Sequence, residues 1–420
     1  MYGGTTLIMI LSMIIVTSTK TSVDAFRLLP RRVGKNGGTL ALFSSASSPS
    51  SAAFQYTQLE DSPMVSSTST STSTSTSMSK DQYRGNRNLQ HVLRIAENAA
   101  LKAGEIMRST SGKIAISNTK TNTADLVTES DILCQKVIND IIQNEFPGDC
   151  FLGEEDVGAG SFASSSALDR ALFITKKGEG GDSGNACTVD AIGGIQGEDD
   201  KEKLLWIVDP IDGTTNFQAG LPMFCVSIGV VSLGGSDAST DDDPQVVAGV
   251  IYNPILNEMV SAVRGRGCYL NGERIKRTND DDDDNDVNDS DDGITLDKAL
   301  VNVGFPVYSE GTLRVSSRTV TALSTKVRGV RMIASASQVM SWVAMGKLSA
   351  YVSWDLNAWD IAAGMVIVEE SGGFISDFDG ERATILTRDM IISCNEGNSK
   401  HNLSKAILQV LKENDCIEYQ

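Results

Sequence analysis

Apolar residues recur at helical spacing in two stretches near the start of the folded part of the chain. The first stretch has one apolar face, formed by Leu89, Val92, Ala96, Ala99, Ala100, Ala103, Ile106 and Met107. A short apolar pair at residues 126–127 precedes the second stretch, whose apolar positions are Leu133, Val137, Ile138, Ile141 and Ile142. This spacing predicts two amphipathic helices, with Asp131 in the first turn of the second.

Shorter apolar runs at residues 224–233, 246–252 and 258–263 have the length of strands. Asn253-Pro254 and Asn271-Gly272 are strong turn signals. Since tight turns cannot join parallel strands, these runs predict an antiparallel sheet.

From residue 298 onward, strand-like and helix-like segments alternate. Strands are predicted near 299–303, 330–333 and 350–353, and helices near 312–325, 335–345, from 359 to Gly372-Gly373, and over 401–412. Alternation of this kind is typical of an α/β domain. We therefore expect an α+β domain over residues 80–297 and an α/β domain over 298–420.

The first 79 residues are unlike a globular core. Residues 7–16 are apolar but too few to span a membrane, and Val23-Asp24-Ala25 follows as a cleavage site, which predicts a signal peptide over 1–25. Residues 26–57 contain Arg, Ser and Ala but no acid, as in transit peptides, and a Ser/Thr repeat over 66–79 predicts a disordered linker. This order, with Phe26 at the junction, resembles the bipartite presequence of proteins imported into complex plastids of diatoms and related algae. The resemblance implies a plastid location; the alternative is secretion or an endomembrane lumen.

The formal net charge of −18 argues against nucleic-acid partners and against an anionic membrane as partner of the mature protein. Nine aspartates between residues 280 and 292 account for half of that value. A block of like charge is normally solvated and disordered. We expect acidic, exposed inserts at 280–292, at 234–243 and over most of 156–203.

The chain has seven cysteines and two histidines, and none of the cysteines forms a Cys-x-x-Cys pair. This pattern indicates reduced thiols and excludes a zinc ribbon. Because the chain has so few histidines, any chemistry is left to carboxylates, hydroxyls and a metal ion.

Residues 204–217 read Leu-Leu-Trp-Ile-Val-Asp-Pro-Ile-Asp-Gly-Thr-Thr-Asn-Phe. The first five residues predict a buried strand. Asp209 and Asp212, with Pro210 between them, predict a rigid, irregular loop that offers oxygen ligands to a hard divalent cation. Gly213 and Thr214 predict a helix start, which suits a phosphate group.

This string resembles the signature of the inositol monophosphatase family of metal-dependent phosphatases. Two further segments fit the resemblance, Gly153-Glu154-Glu155 upstream and Trp359-Asp360 with the later Gly372-Gly373 downstream. Residues 249–272 also resemble the family, and the likeness covers roughly residues 88–415.

The resemblance implies a layered αβαβα sandwich of the sugar-phosphatase type, a homodimer, and two or three Mg²⁺ ions. The implied metal ligands are Glu154, Asp209, the Ile211 carbonyl, Asp212 and Asp360. The implied catalytic residues are Thr214, Asp131 and Glu154, with phosphate and substrate contacts from Asp212, Gly213, Thr214, Ser335 and Ser353.

The implied activity is hydrolysis of a small phosphate monoester, with inositol monophosphate as the first candidate. Ser353 stands where inositol monophosphatases carry an acidic residue that binds the inositol ring, so other substrates of the superfamily stay open. These are histidinol phosphate, galactose 1-phosphate, a 3′(2′),5′-bisphosphate nucleotide and fructose 1,6-bisphosphate. A non-catalytic, cation-binding relative is the alternative from another class.

Overall fold

The structure is a computed structural model that describes residues 87–113, 118–119, 126–158, 160–177, 203–232, 244–275, 294–306, 309–394 and 402–418. All of them belong to one compact unit, Ser75–Gln420. The predicted presequence and the acidic run at 280–292 lie outside the described residues.

Eight helices are described: α1 (Leu89–Thr110), α2 (Glu129–Glu145), α3 (Ser161–Lys177), α4 (Thr214–Ala219), α5 (Glu310–Ser324), α6 (Ala336–Ala344), α7 (Ala358–Glu370) and α8 (Asn402–Glu413). The strands are β1 (Asn118–Thr119), β2 (Leu126–Val127), β3 (Cys150–Gly153), β4 (Leu205–Asp212), β5 (Cys225–Ser232), β6 (Gln245–Asn253), β7 (Glu258–Val263), β8 (Gly267–Leu270), β9 (Glu273–Arg274), β10 (Leu300–Val303), β11 (Gly329–Arg331), β12 (Ala350–Ser353), β13 (Phe374–Ser376) and β14 (Met390–Ser393).

Strands β3 to β9 form a seven-stranded sheet in sequence order. The strands from β4 to β9 pair antiparallel with their neighbours, as the turn signals predict, whereas β3 and β4 pair in parallel. That parallel pair places the carboxyl ends of β3 and β4 at the same edge of the sheet.

The other large sheet has the order β11-β10-β12-β14-β13. Strands β11, β10 and β12 are parallel, and helices α5 and α6 connect them in sequence, as the alternation predicts. Strands β14 and β13 continue the sheet in antiparallel pairing.

Three apolar clusters define five layers. One face of the seven-stranded sheet packs on α1 and α2, through residues such as Trp206, Val208 and Met107. Its other face and the five-stranded sheet both pack on α6 and α7, which lie between them. Helices α5 and α8 cover the outer face of the five-stranded sheet. The αβαβα sandwich is thus confirmed, whereas the division into two domains at residues 297 and 298 stays a prediction.

Part of the predicted insert at 156–203 is helical, contrary to expectation. Helix α3 buries Ala167, Leu168 and Ala171 in the cluster that also contains Leu152 and Leu205. These small and medium apolar side chains lie at positions i, i+1 and i+4, so a narrow stripe within a Ser-rich segment is enough to anchor a helix.

The signature is more regular than predicted, because β4 continues to Asp212 instead of ending before Asp209. The pairing with β5 shifts register between Asp209 and Asp212, around Pro210. Proline lacks an N–H donor, and such a bulge is a position at which a strand tolerates it.

The six cysteines that the structure describes form no disulfide. None of the helices in the described part of the chain combines the length and apolar character that a membrane crossing requires.

Glu97 is an acid on α1 that the sheet covers. The Ser261 hydroxyl donates to its Oε1 at 2.8 Å. Burial raises the pKa of Glu97, and the hydrogen bond from Ser261 and the charge of Arg94 offset this only in part. An unperturbed glutamate, as in the unfolded chain, has a pKa of about 4.3. Because the pKa of Glu97 is higher in the folded state, the free energy of unfolding falls as the pH rises above that value.

Glu97→Gln should therefore raise the free energy of unfolding at pH 8, by about 1 kcal/mol or less, and change it little at pH 4. The glutamine keeps an acceptor for Ser261 but carries no charge. Urea unfolding of both proteins at the two pH values measures the effect. Glu105→Gln, at an exposed position of the same helix, is the control; equal shifts in the two variants would contradict the assignment.

Candidate active site

Glu154 and Asp209 meet because Glu154 follows β3 and Asp209 lies in the neighbouring parallel strand β4, at the level where β3 ends. Gly153, the last residue of β3, pairs with Val208 of β4, so the next residue on each strand lies at the same sheet edge. Glu154 begins a 3₁₀ turn, Glu154–Asp156, and its carboxyl group is within hydrogen-bond reach of Asp209. Asp209, 3% exposed, also accepts a hydrogen bond from the Ile211 backbone N–H at 3.0 Å.

Asp212 caps the amino end of helix α6. Its carboxylate accepts from the backbone N–H groups of Ala336 at 3.2 Å and Ser337 at 2.5 Å, and from the Ser335 hydroxyl at 3.0 Å. Charge-assisted bonds at a helix amino end favour a carboxylate. Asp212 is thereby fixed to the helix layer between the two sheets.

Asp360 lies in the first turn of α7, as predicted. It completes a capping box with Asn357, whose backbone N–H donates to Asp360 Oδ2 at 2.7 Å. The Ser337 hydroxyl donates to the Asp360 backbone carbonyl at 2.9 Å. Helices α6 and α7 therefore hold Asp212 and Asp360 side by side.

Asp209, Asp212 and Asp360 converge so closely that one carboxylate oxygen from each lies within 4.8 Å of the others. Burial, with the nearby Glu154, Asp212 and Asp360, raises the pKa of Asp209 well above its usual range. Burial raises the pKa of Asp212 to about 6, although the bonds from Ser337 and Ser335 oppose the shift. Burial, with the charge of Asp212, raises the pKa of Asp360.

Such a cluster is unfavourable for carboxylates alone and favourable around a cation. Like charges in a buried site repel, whereas Mg²⁺ prefers oxygen ligands of this kind. The donor set therefore fits a hard divalent cation.

Thr214 and Asp131 form a second pair beside the cluster. The Thr214 hydroxyl lies 3.4 Å from Asp131 Oδ1 and 3.1 Å from the Ile211 carbonyl oxygen, both in donor geometry. Asp131 is held in a capping box, because the backbone N–H and the hydroxyl of Thr128 both donate to its Oδ2. Burial raises the pKa of Asp131 to about 6, against the effect of the Thr128 bonds.

Gly213 joins the strand to helix α4, and its backbone requires glycine. Its φ of 91° lies in the left-handed region. A Cβ here would also lie 3.0 Å from the Met223 carbonyl oxygen and 3.0 Å from Ser335 Cβ. The signature's Asn216 then fastens α4 to the segment before α6 by donating to the Ile333 carbonyl at 2.8 Å.

Ser335 and Ser353, two of the predicted substrate contacts, are both in contact with other residues of the protein. The Ser335 hydroxyl is directed at Asp212, so it orients an acid of the cluster. Ser353 is 2% exposed, hydrogen-bonds with the Tyr351 hydroxyl, and packs against Gly304.

Several residues around the site were missed by the sequence analysis. Ser337 and Tyr351 carry no sequence signal, because their roles depend on contacts between α6, α7 and β12. Asn357 could have been found, since Asn357 and Asp360 have the spacing of a capping box. Arg388, which donates to both Asp355 and Asn357, lies 28 residues beyond Asp360 and has no such signal.

The inositol monophosphatase family profile matches residues 88–413 of the chain. The chain belongs to the inositol monophosphatase family, and it is a metal-dependent phosphatase of that family.

Among curated relatives, inositol monophosphatase 3 of Solanum lycopersicum is 32% identical over 305 residues, which cover 72% of this chain and 92% of the relative. A protein of Thermotoga maritima named fructose-1,6-bisphosphatase/inositol-1-monophosphatase is 28% identical over 312 residues, 74% of this chain and 94% of the relative.

Among solved structures, the extragenic suppressor protein suhB of Bartonella henselae has a TM-score of 0.56 at 26% identity, covering 77% of this chain and 99% of that chain. The inositol monophosphatase of Thermotoga maritima has a TM-score of 0.53 at 26% identity, covering 77% and 98%. These likenesses agree with the layered fold described above.

Proposed function

We propose that the protein is a Mg²⁺-dependent phosphomonoesterase that acts on a small polyol phosphate, with inositol monophosphate as the first candidate. The observation that carries the proposal is the convergence of Asp209, Asp212 and Asp360 beside the Thr214–Asp131 pair. A phosphate ester is anionic and cannot approach buried carboxylates without a cation, so the same site must bind both.

The proposed metal ligands are Glu154, Asp209, the Ile211 carbonyl, Asp212 and Asp360. Bound Mg²⁺ would neutralise the phosphate, lower the pKa of a water molecule and stabilise the departing alcohol oxygen. The chain's own task is to hold these oxygen atoms together, which it does through helices α6 and α7 and the paired strands β3 and β4.

Thr214 is proposed to relay the proton of the attacking water to Asp131. Asp131 Oδ1 faces the Thr214 hydroxyl, while Oδ2 is occupied by Thr128, so the carboxylate cannot rotate away. The backbone N–H groups of Gly213 and Thr214 are proposed to bind phosphate oxygens at the start of α4. No group on the chain needs to form a covalent intermediate.

A phosphate-release screen tests the function. Inositol 1-phosphate, glycerol 2-phosphate, galactose 1-phosphate, histidinol phosphate, fructose 1,6-bisphosphate and a 3′(2′),5′-bisphosphate nucleotide would be compared in Mg²⁺ and in EDTA. We expect Mg²⁺-dependent release from inositol 1-phosphate, and inhibition by millimolar Li⁺ as the family resemblance implies. No release from any of them in Mg²⁺ would contradict the proposal.

Ser353 leads to a prediction about selectivity. A neutral hydroxyl contributes roughly 1 kcal/mol, whereas a carboxylate acceptor contributes about 1.5–3 kcal/mol. The enzyme should therefore discriminate poorly, with kcat/KM for inositol 1-phosphate and glycerol 2-phosphate within about 30-fold of each other. Because the Ser353 hydroxyl is buried and bonded to Tyr351, Ser353→Ala should change kcat/KM for inositol 1-phosphate little. A strong preference of the wild type for inositol 1-phosphate would mean that another residue recognises the ring.

We further propose that the mature protein is located in a plastid and forms a homodimer. The support is the composition of residues 1–79 for the first and family resemblance for the second. Fluorescence of a reporter fused after residue 79 tests the location, with secretion as the contradicting outcome. Light scattering of the purified mature chain tests the dimer.

A further inference from the structure

We propose that Gln135 is a positioning residue that sets the place of Glu154 at the metal site. Gln135 lies on α2, one helical turn after Asp131, and is only 7% exposed. The inference rests on the proposed function, since it assumes that Glu154 is a metal ligand.

The side-chain amide of Gln135 holds the two residues that follow Glu154. Its Oε1 accepts from the Glu155 backbone N–H at 2.9 Å. Its amide group also donates to the carboxylate of Asp156. The 3₁₀ turn that begins at Glu154 is therefore fastened to α2 at two consecutive positions.

Gly153 allows this arrangement. A Cβ at this position would collide with Oε1, Cδ and Nε2 of Gln135, so the amide lies directly over the end of β3. Gly153 is also the N-cap residue of the turn, and without a side chain it cannot cap the turn. Gln135 supplies from a neighbouring helix the restraint that a capping side chain would otherwise give.

The contact requires an acceptor and a donor on one uncharged side chain. An ionised glutamate could accept from the Glu155 N–H but could not donate to Asp156. It would also add a negative charge beside Glu154, Glu155 and Asp156. Methionine has a similar length and neither accepts strongly nor donates.

Helix α2 thus serves the site twice along one face. Asp131 holds the Thr214 hydroxyl, and four residues later Gln135 holds the turn that carries Glu154. Positions i and i+4 share a helix face, so any rotation of α2 would move both groups together.

The experiment compares Gln135→Met, Gln135→Glu and the control Lys136→Met, at the next residue, whose side chain is 67% exposed. Calorimetric titration with Mg²⁺ gives the dissociation constant without reference to activity, and thermal melting in EDTA gives the stability. Losing a group that orients a metal ligand costs roughly 10–100-fold in metal affinity. We expect a weakening of that order in both Gln135 variants, and no change in the control.

The outcomes separate this inference from the proposed function. Weaker Mg²⁺ binding in the Gln135 variants supports the positioning role, even if the wild type releases no phosphate. An unchanged dissociation constant overturns it, including when the melting temperature in EDTA falls, because that pattern describes a purely structural residue. An active wild type whose Gln135→Met variant keeps the same Mg²⁺ requirement also overturns it.

Discussion

Asp209→Asn should abolish Mg²⁺-dependent phosphate release and leave the fold intact. Asparagine keeps an oxygen that can accept from the Ile211 N–H, but it removes one negative charge from the buried cluster. Substituting groups that merely support metal ligands costs roughly 10–100-fold, so we expect the loss of a proposed ligand to exceed about 100-fold in kcat/KM. Phosphate release in saturating Mg²⁺ measures the change.

The same variant should melt at the same or a higher temperature than the wild type in EDTA. Without a cation, the carboxylates of Asp209, Asp212 and Asp360 repel one another, and the amide relieves part of that repulsion. Asp140→Asn, on the exposed side of α2, is the control for charge removal alone. Turnover at the wild-type rate in Asp209→Asn would show that the metal site has been assigned to the wrong residues.

Thr214→Ala should lower kcat by about 100-fold to 10,000-fold, the range typical of a lost acid–base group. The hydroxyl is the group that faces both Asp131 and the Ile211 carbonyl, and alanine removes it without adding bulk. Thr214→Ser keeps the hydroxyl and should retain activity within about tenfold. Single-turnover and steady-state phosphate release would be measured for both variants.

Binding of Mg²⁺ separates a proton relay from a structural role for Thr214. The relay predicts that Thr214→Ala binds Mg²⁺ as the wild type does while its kcat falls. If alanine and serine reduce kcat equally, the hydroxyl is not the functional group. If both variants lose Mg²⁺ affinity instead, Thr214 supports the metal site through the Ile211 carbonyl.

Local sequence patterns predicted the parts of the site that depend on residues close together in the sequence. Asp131 and Asp360 each follow a capping residue by three positions, so their places in a first helical turn could be read from the sequence. The alternation after residue 298 likewise predicted the order of strands and helices from β10 to β12. In both cases the determining interactions span only a few residues.

Contacts between distant segments could not be predicted in this way. The bond between Asp212 and the amino end of α6 joins residues more than 120 positions apart. The bond between Gln135 and Glu155 depends on how α2 packs against the end of β3. Helix α3 was missed because its apolar stripe is narrow and its composition is that of a loop. The family resemblance supplied the acids of the site, but not the groups that hold them.

Because the acids of the site come together only in the folded protein, the supply of metal would affect how long the protein survives in the cell. Glu154 and Asp360 are about 200 residues apart in the chain, so an unfolded molecule offers an ion only scattered carboxylates. A ligand that binds the folded state alone adds about 2.7 kcal/mol of stability at 100 times its dissociation constant. Cells short of magnesium would then hold more unfolded copies, which proteases remove. The abundance of the protein, and not only its turnover, would follow the magnesium content of its compartment.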